Sequence, residues 1–381
     1  MTSDLNLQQF RKALTYRQLS QSDLAEALDV SSSFISQVLN AKKEFPKKLV
    51  GELASILRLE PEFFYLTGNE QELMSEVSFR KLSRALKKEQ NANEVQYAIF
   101  LEAVSQLAEH VSLPEVNLPE YCTLFRDYDE SFIKEAAATC RQIWGMSKGP
   151  IDNLIKFVEL NGVVVSRANW GSQTLSGFAF WAKDQRPYIF LNNENSYFRT
   201  RFDLAHELGH LILHKNYPVG ATQKRLELLQ RKEKEANTFA SYFLMPPDSF
   251  PDEVLSDNLL YFVELKKRWK VSISAMIYNC HSVGRIDDNK KVSLYRLINY
   301  RKWNRKEPLD EFYEPEQPEL LFQALKLIFN NNLMEPREFV KNLGLPPKEL
   351  ELLLNLPFGF LLENQRGNKI LDIRLKNISK V

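Results

Sequence analysis

The chain has 381 residues, of which 44% are hydrophobic and 12% aromatic, enough apolar material for two or three packed domains and too much for a disordered chain. Fifty Lys and Arg against 49 Asp and Glu leave a formal charge of +1, so no global field draws the protein to nucleic acid or membrane, and any such partner must meet a local patch. The opening "MTSDLNLQQF" places Asp4 where a signal peptide would be basic and then apolar, and no apolar run approaches the roughly 18 residues of a membrane span; a cytoplasmic protein without a membrane partner is expected.

Residues 1 to 66 read as short helices, with Leu24, Ala25 and Leu28, then Ile35, Val38 and Leu39, then Leu49, Leu53, Ile56 and Leu57 at helical spacing. Ser20 or Ser22 caps a helix, Asp29 and Val30 make a turn, and a second helix from Ser31 to Asn40 buries Ile35 and Val38. Ser32, Ser33, Ser36, Gln37 and Asn40 then face outward, as side chains that read a DNA groove do. Lys42, Lys43, Lys47 and Lys48 follow where phosphates would lie. With these four lysines included, residues 1–68 balance eight Lys and Arg against eight Asp and Glu.

"TGNEQELMSEVS" (67–78) reads as a linker, followed by a long charged helix whose Arg80, Lys81, Arg84, Lys87 and Lys88 form a solvated face. Helices are predicted at "DESFIKEAAATCRQIWG" and "GPIDNLIKFVELNG". "GVVVSR", "SGFAFWAK" and "PYIFLNN" then read as strands of a small sheet. Helices resume through "KEKEANTFASYFLM" to "ELKKRWKVSISAMIYNCHSVG". A basic run, Arg296, Arg301, Lys302, Arg305 and Lys306, reads as another solvated face. The Pro and Glu-rich "KEPLDEFYEPEQPEL" separates off a final helical region. Cys122, Cys140 and Cys280 form no CxxC pair, which excludes a Cys-rich zinc module.

Three of the five histidines fall in "RTRFDLAHELGHLILHKN". On a helix counted from His206, His210 lies at about 40°, Asp203 at about 60°, His214 at about 80° and Glu207 at about 100°, while Leu204, Ala205, Leu208, Leu211 and Ile212 fill the opposite arc. The polar side holds only His, Asp and Glu, which suits a site better than a solvated face. His206-Glu207-Leu208-Gly209-His210 fits HExxH: two imidazoles one turn apart converge on a Zn²⁺, and the intervening glutamate serves as general base for a metal-bound water. A third ligand is expected from "RKEKEANTFASYFLMPP", where Glu233 and Glu235 flank opposite edges of the apolar face and periodicity does not choose between them. His214 lies about 12 Å along the helix from His206, too far to share the ion, and is expected to support or pack.

"RFDLAHELGHLILH" followed by "EANTFASYFLMPP" resembles the ImmA/IrrE family of zinc metallopeptidases, and the similarity extends from about Ala136 to Ile286. The resemblance implies Glu207 as the catalytic base and His206, His210 and Glu235 as zinc ligands. In zincins a substrate chain pairs with an edge strand beside the metal helix, and "PYIFLNN" is expected to be that strand. "LSQSDLAEALDVSSSFISQVLNAKKEFPKKLVGELASILRL" resembles the XRE, lambda repressor-like, helix-turn-helix family, with Asp29 and Ala41 standing where glycine is common. That resemblance implies DNA contacts from Ser32, Ser33, Ser36, Gln37, Asn40, Lys42 and Lys43.

The expected fold is therefore α+β and mostly α. It comprises a helix-turn-helix domain (1–68), a helical connector (69–130), a zincin-like peptidase domain with a sheet of three or more strands (131–290) and an accessory helical region (291–381). By family analogy the protein is a DNA-binding zinc endopeptidase whose protein substrate is a transcriptional repressor or other regulator in stress, mobile-element or defence control, with a homodimer as a further expected state. The contrasting reading is a non-proteolytic XRE regulator or antitoxin with a structural or sensory zinc.

Overall fold

A computed structural model describes residues 5–67, 87–121, 128–170, 176–215 and 225–365. The expected linker at 67–78, apart from its first residue, the basic residues Arg80, Lys81 and Arg84, and Cys122 lie outside these ranges. In chain order come α1 (Leu7–Arg17), α2 (Gln21–Ala27), α3 (Ser32–Leu39), α4 (Val50–Leu57), α5 (Lys87–Ala108), α6 (Glu130–Ile143) and α7 (Leu154–Leu160). Strands β1 (Val164–Ala168), β2 (Gly177–Trp181) and β3 (Pro187–Asn192) follow, then α8 (Tyr197–Leu213), α9 (Arg225–Leu244), α10 (Phe250–Glu253), α11 (Leu259–Trp269), α12 (Ile273–Ser282) and α13 (Asp288–Tyr300). Four helices close the described chain: α14 (Leu320–Asn330), α15 (Pro336–Leu343), α16 (Pro347–Leu353) and α17 (Phe360–Gln365). The fold is mostly helical α+β, and no helix among the described residues is long and apolar enough to cross a membrane.

The four consecutive blocks expected from the sequence fold as two compact units. One gathers 1–69, 95–111 and 321–381, and the other holds 70–94 and 112–320. In the first, Ser20 closes a capping box with Asp23 at the start of α2, and Ser31 caps α3. Phe10, Leu24, Ile35, Val38, Leu53 and Leu57 form its fully buried centre. Asp29 and Ala41 both adopt left-handed φ, 51° and 55°. Ala41 ends α3 as a helix-terminating turn, its N–H donating to Val38 O at 2.9 Å while Lys42 N–H reaches Gln37 O at 2.8 Å.

The C-terminal helices pack on this unit and do not stand apart as an accessory domain. Glu60 N–H donates to Gly344 O at 3.0 Å, and Gly344, with φ +68°, lies so close to Phe63 that a Cβ would sit 2.7 Å from its backbone. Arg17 pairs with Glu349 at 2.9 Å, and Tyr16 donates to the same carboxylate. The end of α15 at Gly344 and Glu349 on α16 thus meet partners more than 250 residues earlier in the chain, a pairing that local periodicity does not encode.

The second unit is built around a three-stranded sheet of order β1-β3-β2, with β1 parallel and β2 antiparallel to β3. The expected edge strand "PYIFLNN" is thus the central one. All six residues of β3 are buried, which is the pattern of a strand covered on both faces and paired on both sides. The edge nearest the metal-motif helix is β2: α8 packs across β2 and β3, and Trp181 Nε1 donates to Leu211 O at 3.1 Å.

The other face of α8 meets α9 at Gly209, where Phe239 occupies the space a side chain would need. Phe239 and Phe243 are fully buried, each contributing on the order of 2–3 kcal/mol through apolar burial. The Pro and Glu-rich segment expected as a separator folds against the start of α8. Lys266 is fully buried between Glu307 and Asp310, at 2.7 Å from each. Arg201 pairs with Glu316, and Tyr313 packs on Tyr197 and Phe198. Glu307 also accepts from the backbone N–H groups of Ile273 and Ser274 at the start of α12, so each carboxylate taken from water is matched by a cation or donors.

Candidate functional site

Helix α8 brings His206 and His210 onto one face, one turn apart, with Nε2 atoms 3.1 Å from each other. Helix α9 supplies Glu233, whose carboxylate oxygens lie 3.3 Å from His206 Nε2 and 3.5 Å from His210 Nε2. The three donor groups lie within 4.8 Å of one another. In a tetrahedral zinc site with arms of about 2.0–2.1 Å, ligand atoms stand about 3.3–3.4 Å apart. These separations therefore match three corners of such a site. Two imidazole nitrogens and a carboxylate aimed at one point are also mutually repulsive unless a proton or cation lies between them. Glu233 is exposed, His206 half-buried and His210 buried, so one side of the position faces solvent and a fourth corner is accessible.

The structure brings Glu233, not Glu235, to the histidine pair. Glu235 is buried on the other edge of α9 and lies 2.9 Å from His214 Nε2. Two residues on a helix are about 200° apart, so only one of these glutamates can face the pair. Asn237, one turn beyond Glu233 on the same face, places Oδ1 2.9 Å from His206 Nδ1. Sequence reasoning passed over Asn237, although its spacing of four from Glu233 carries the signal.

Glu207 is buried beside β2, where a Cβ on Gly177 would come within 3.5 Å of its Cγ and 2.9 Å of Phe190 O. Any side chain at Gly177 would clash with the backbone of β3, so glycine is what lets β2 lie this close to β3 beside Glu207. Asp203, three residues before His206, accepts from Asn195 Nδ2 at 2.8 Å. Burial pushes its carboxyl up to about 6, with Arg199 and His206 opposing. Hydrogen bonds from His206 and His210 hold Glu233 well below the usual carboxylate range. Burial works against a charged His206, yet Glu233, Glu207 and Asn237 together raise its affinity for a proton. The pocket therefore favours positive charge, whether proton or metal.

Residues 158–281 match the IrrE N-terminal-like domain of the peptidase M78 family. This IrrE-like span contains the sheet, α8 and α9, and so every residue of the cluster. No curated protein matches the chain. The residues expected to contact DNA lie outside the IrrE-like span. Ser32, Ser33, Gln37, Asn40, Lys42 and Lys43 are exposed and Ser36 is half-buried. Gln37 donates to Ser33 Oγ at 3.2 Å, Asn40 reaches Ser36 Oγ at 3.5 Å, and Lys43 Nζ lies 4.9 Å above the Phe34 ring. The polar residues sit one turn apart and share the outer face of α3, opposite the buried Ile35 and Val38.

Proposed function

We propose that this chain is a zinc-dependent endopeptidase that also binds DNA, and that its substrate is a protein regulator of transcription. The convergence of His206, His210 and Glu233 beside Glu207 carries the proposal, because a purely structural zinc has no need of a carboxylate base next to it. His206, His210 and Glu233 would hold the ion, which supplies a polarised water and a Lewis acid when bound. Glu207 would act as general base toward the attacking water and hand the proton on to the departing amine nitrogen. A substrate segment adds to the outer edge of β2, where backbone N–H and C=O groups align it beside α8. The exposed polar face of α3 would enter the major groove, with Lys42 and Lys43 on phosphates.

The test compares protein N-termini in cells expressing the wild type and Glu207→Gln. A new N-terminus found only with the wild type identifies both activity and substrate. Identical sets under several stresses would overturn the peptidase reading and favour a regulator whose zinc is structural or sensory.

A further inference from the structure

His210 and His214 face each other through their Nδ1 atoms at 2.8 Å, and His214 Nε2 lies 2.9 Å from Glu235 Oε2. All three residues are buried, and Arg231 Nε stands 3.5 Å from the other Glu235 oxygen. We infer that Glu235 and His214 form a positioning pair that presents His210 Nε2 to the metal, with Glu235 acting through His214 and not as a ligand. The inference rests on the metal-centre reading above, and on no part of the substrate or DNA assignment.

The argument is one of proton accounting. Glu235 accepts, so His214 Nε2 carries a hydrogen. In a neutral His214 the Nδ1 is then a lone pair and must receive a hydrogen from His210 Nδ1. That leaves His210 Nε2 as a lone pair, the form a metal requires, pointing at Glu233 and His206. With His214 neutral, the observed contacts leave one arrangement of hydrogens, so a carboxylate two residues removed from the metal side of α9 selects the tautomer and ring angle of a ligand on α8. His206 is treated in the same way by Asn237 Oδ1. Helix α9 thus supplies one ligand, Glu233, and a support for each of the two histidines. Were His214 and Glu235 only filling space, an apolar pair would do so without the cost of burying a carboxylate.

The experiment measures zinc affinity of the full chain by competition with a chromophoric chelator, unfolding temperature of the metal-free protein, and the visible spectrum of the cobalt(II) form. The variants are Glu235→Gln, His214→Phe and the double variant. Each single change is expected to weaken zinc by about 10–100-fold, with the double variant no weaker than the worse single one and the cobalt spectrum still that of a four-coordinate site. Should His214→Phe fail to fold, Glu235→Gln, equal in size and shape, carries the test. A wild type that binds no zinc would sink the metal-centre reading itself. Wild-type affinity in both single variants, whatever their unfolding temperatures, would overturn the positioning role alone. So would a cobalt spectrum showing loss of a ligand in Glu235→Gln but not in Glu233→Gln, since Glu235 would then bind the ion directly.

Discussion

Gly209 stands between the two metal-site histidines at the point where α8 meets α9, and replacing it by alanine probes how tightly the site depends on that contact. A Cβ there lies 3.0 Å from Phe239 Cδ1 and 3.2 Å from its Cβ and Cγ, whereas relaxed carbon contacts are about 3.5–4.0 Å. Phe239 is fully buried and stacked on Phe243 at 5.7 Å and 11°. The ring has nowhere to swing, so the helices must part by about 0.5 Å. Alanine gains about 1 kcal/mol of helix propensity over glycine, while overpacking costs about 1–3 kcal/mol. The net expectation is a loss of about 0–2 kcal/mol. The effect on metal is larger, because His206 and His210 lie on one side of the contact and Glu233 on the other, and ligand distances tolerate only about 0.2 Å. Zinc affinity should fall at least tenfold, or about 1.4 kcal/mol. Gly51→Ala is the internal control: that position on α4 has nothing within 4 Å of the new methyl, so up to about 1 kcal/mol of propensity should appear as stability. Urea unfolding and chelator competition read both quantities. If Gly209→Ala gains stability as Gly51→Ala does and binds zinc as the wild type does, the close-contact reasoning is refuted.

At Ala41 the opposite exchange should help: its φ of 55° penalises a Cβ by about 1–2 kcal/mol, and Ala41→Gly is expected to raise the urea midpoint by an amount worth about 1 kcal/mol without changing the slope. Glu159 is buried and pushed up to about 7 by burial, which outweighs the hydrogen bonds it accepts from the Glu319 and Leu320 N–H groups. Because its native value lies above the ordinary 4.5, its contribution is fully present below about pH 4.5 and is lost as pH rises through about 7, on the order of 3 kcal/mol in all. Stability of Glu159→Gln measured against pH should therefore lack that decline, and a parallel decline in both proteins would refute the assignment. Binding of a duplex DNA to the Lys42→Ala, Lys43→Ala double variant should show a slope of log affinity on log salt shallower by about 2 than the wild type's, whereas an unchanged slope removes these lysines from the phosphate contacts.

The features legible in the sequence are those with a short-range cause. HExxH needs only 3.6 residues per turn to put His206 and His210 on one face, and serine caps with Ile35 and Val38 at helical spacing are enough to define α2, α3 and the outward set from Ser32 to Asn40. The left-handed turns at Asp29 and Ala41 were marked by standing where glycine is common. Long-range packing decided the rest. Glu233 and Glu235 look equivalent along α9 because each borders the same apolar stripe, and only the rotation imposed by Phe239 against Gly209 turns one to the histidine pair and the other to His214. The run "PYIFLNN" is apolar on both faces, which says it is buried but not which strands flank it, so its central place came from pairing with β1 and β2 on either side. The C-terminal helices carry an apolar face without naming its partner, and Gly344 against Phe63 and Glu349 against Arg17 supply it from the far end of the chain. Local periodicity determines which side of an element is buried; what it is buried against depends on surfaces hundreds of residues away, and only the folded chain brings those together.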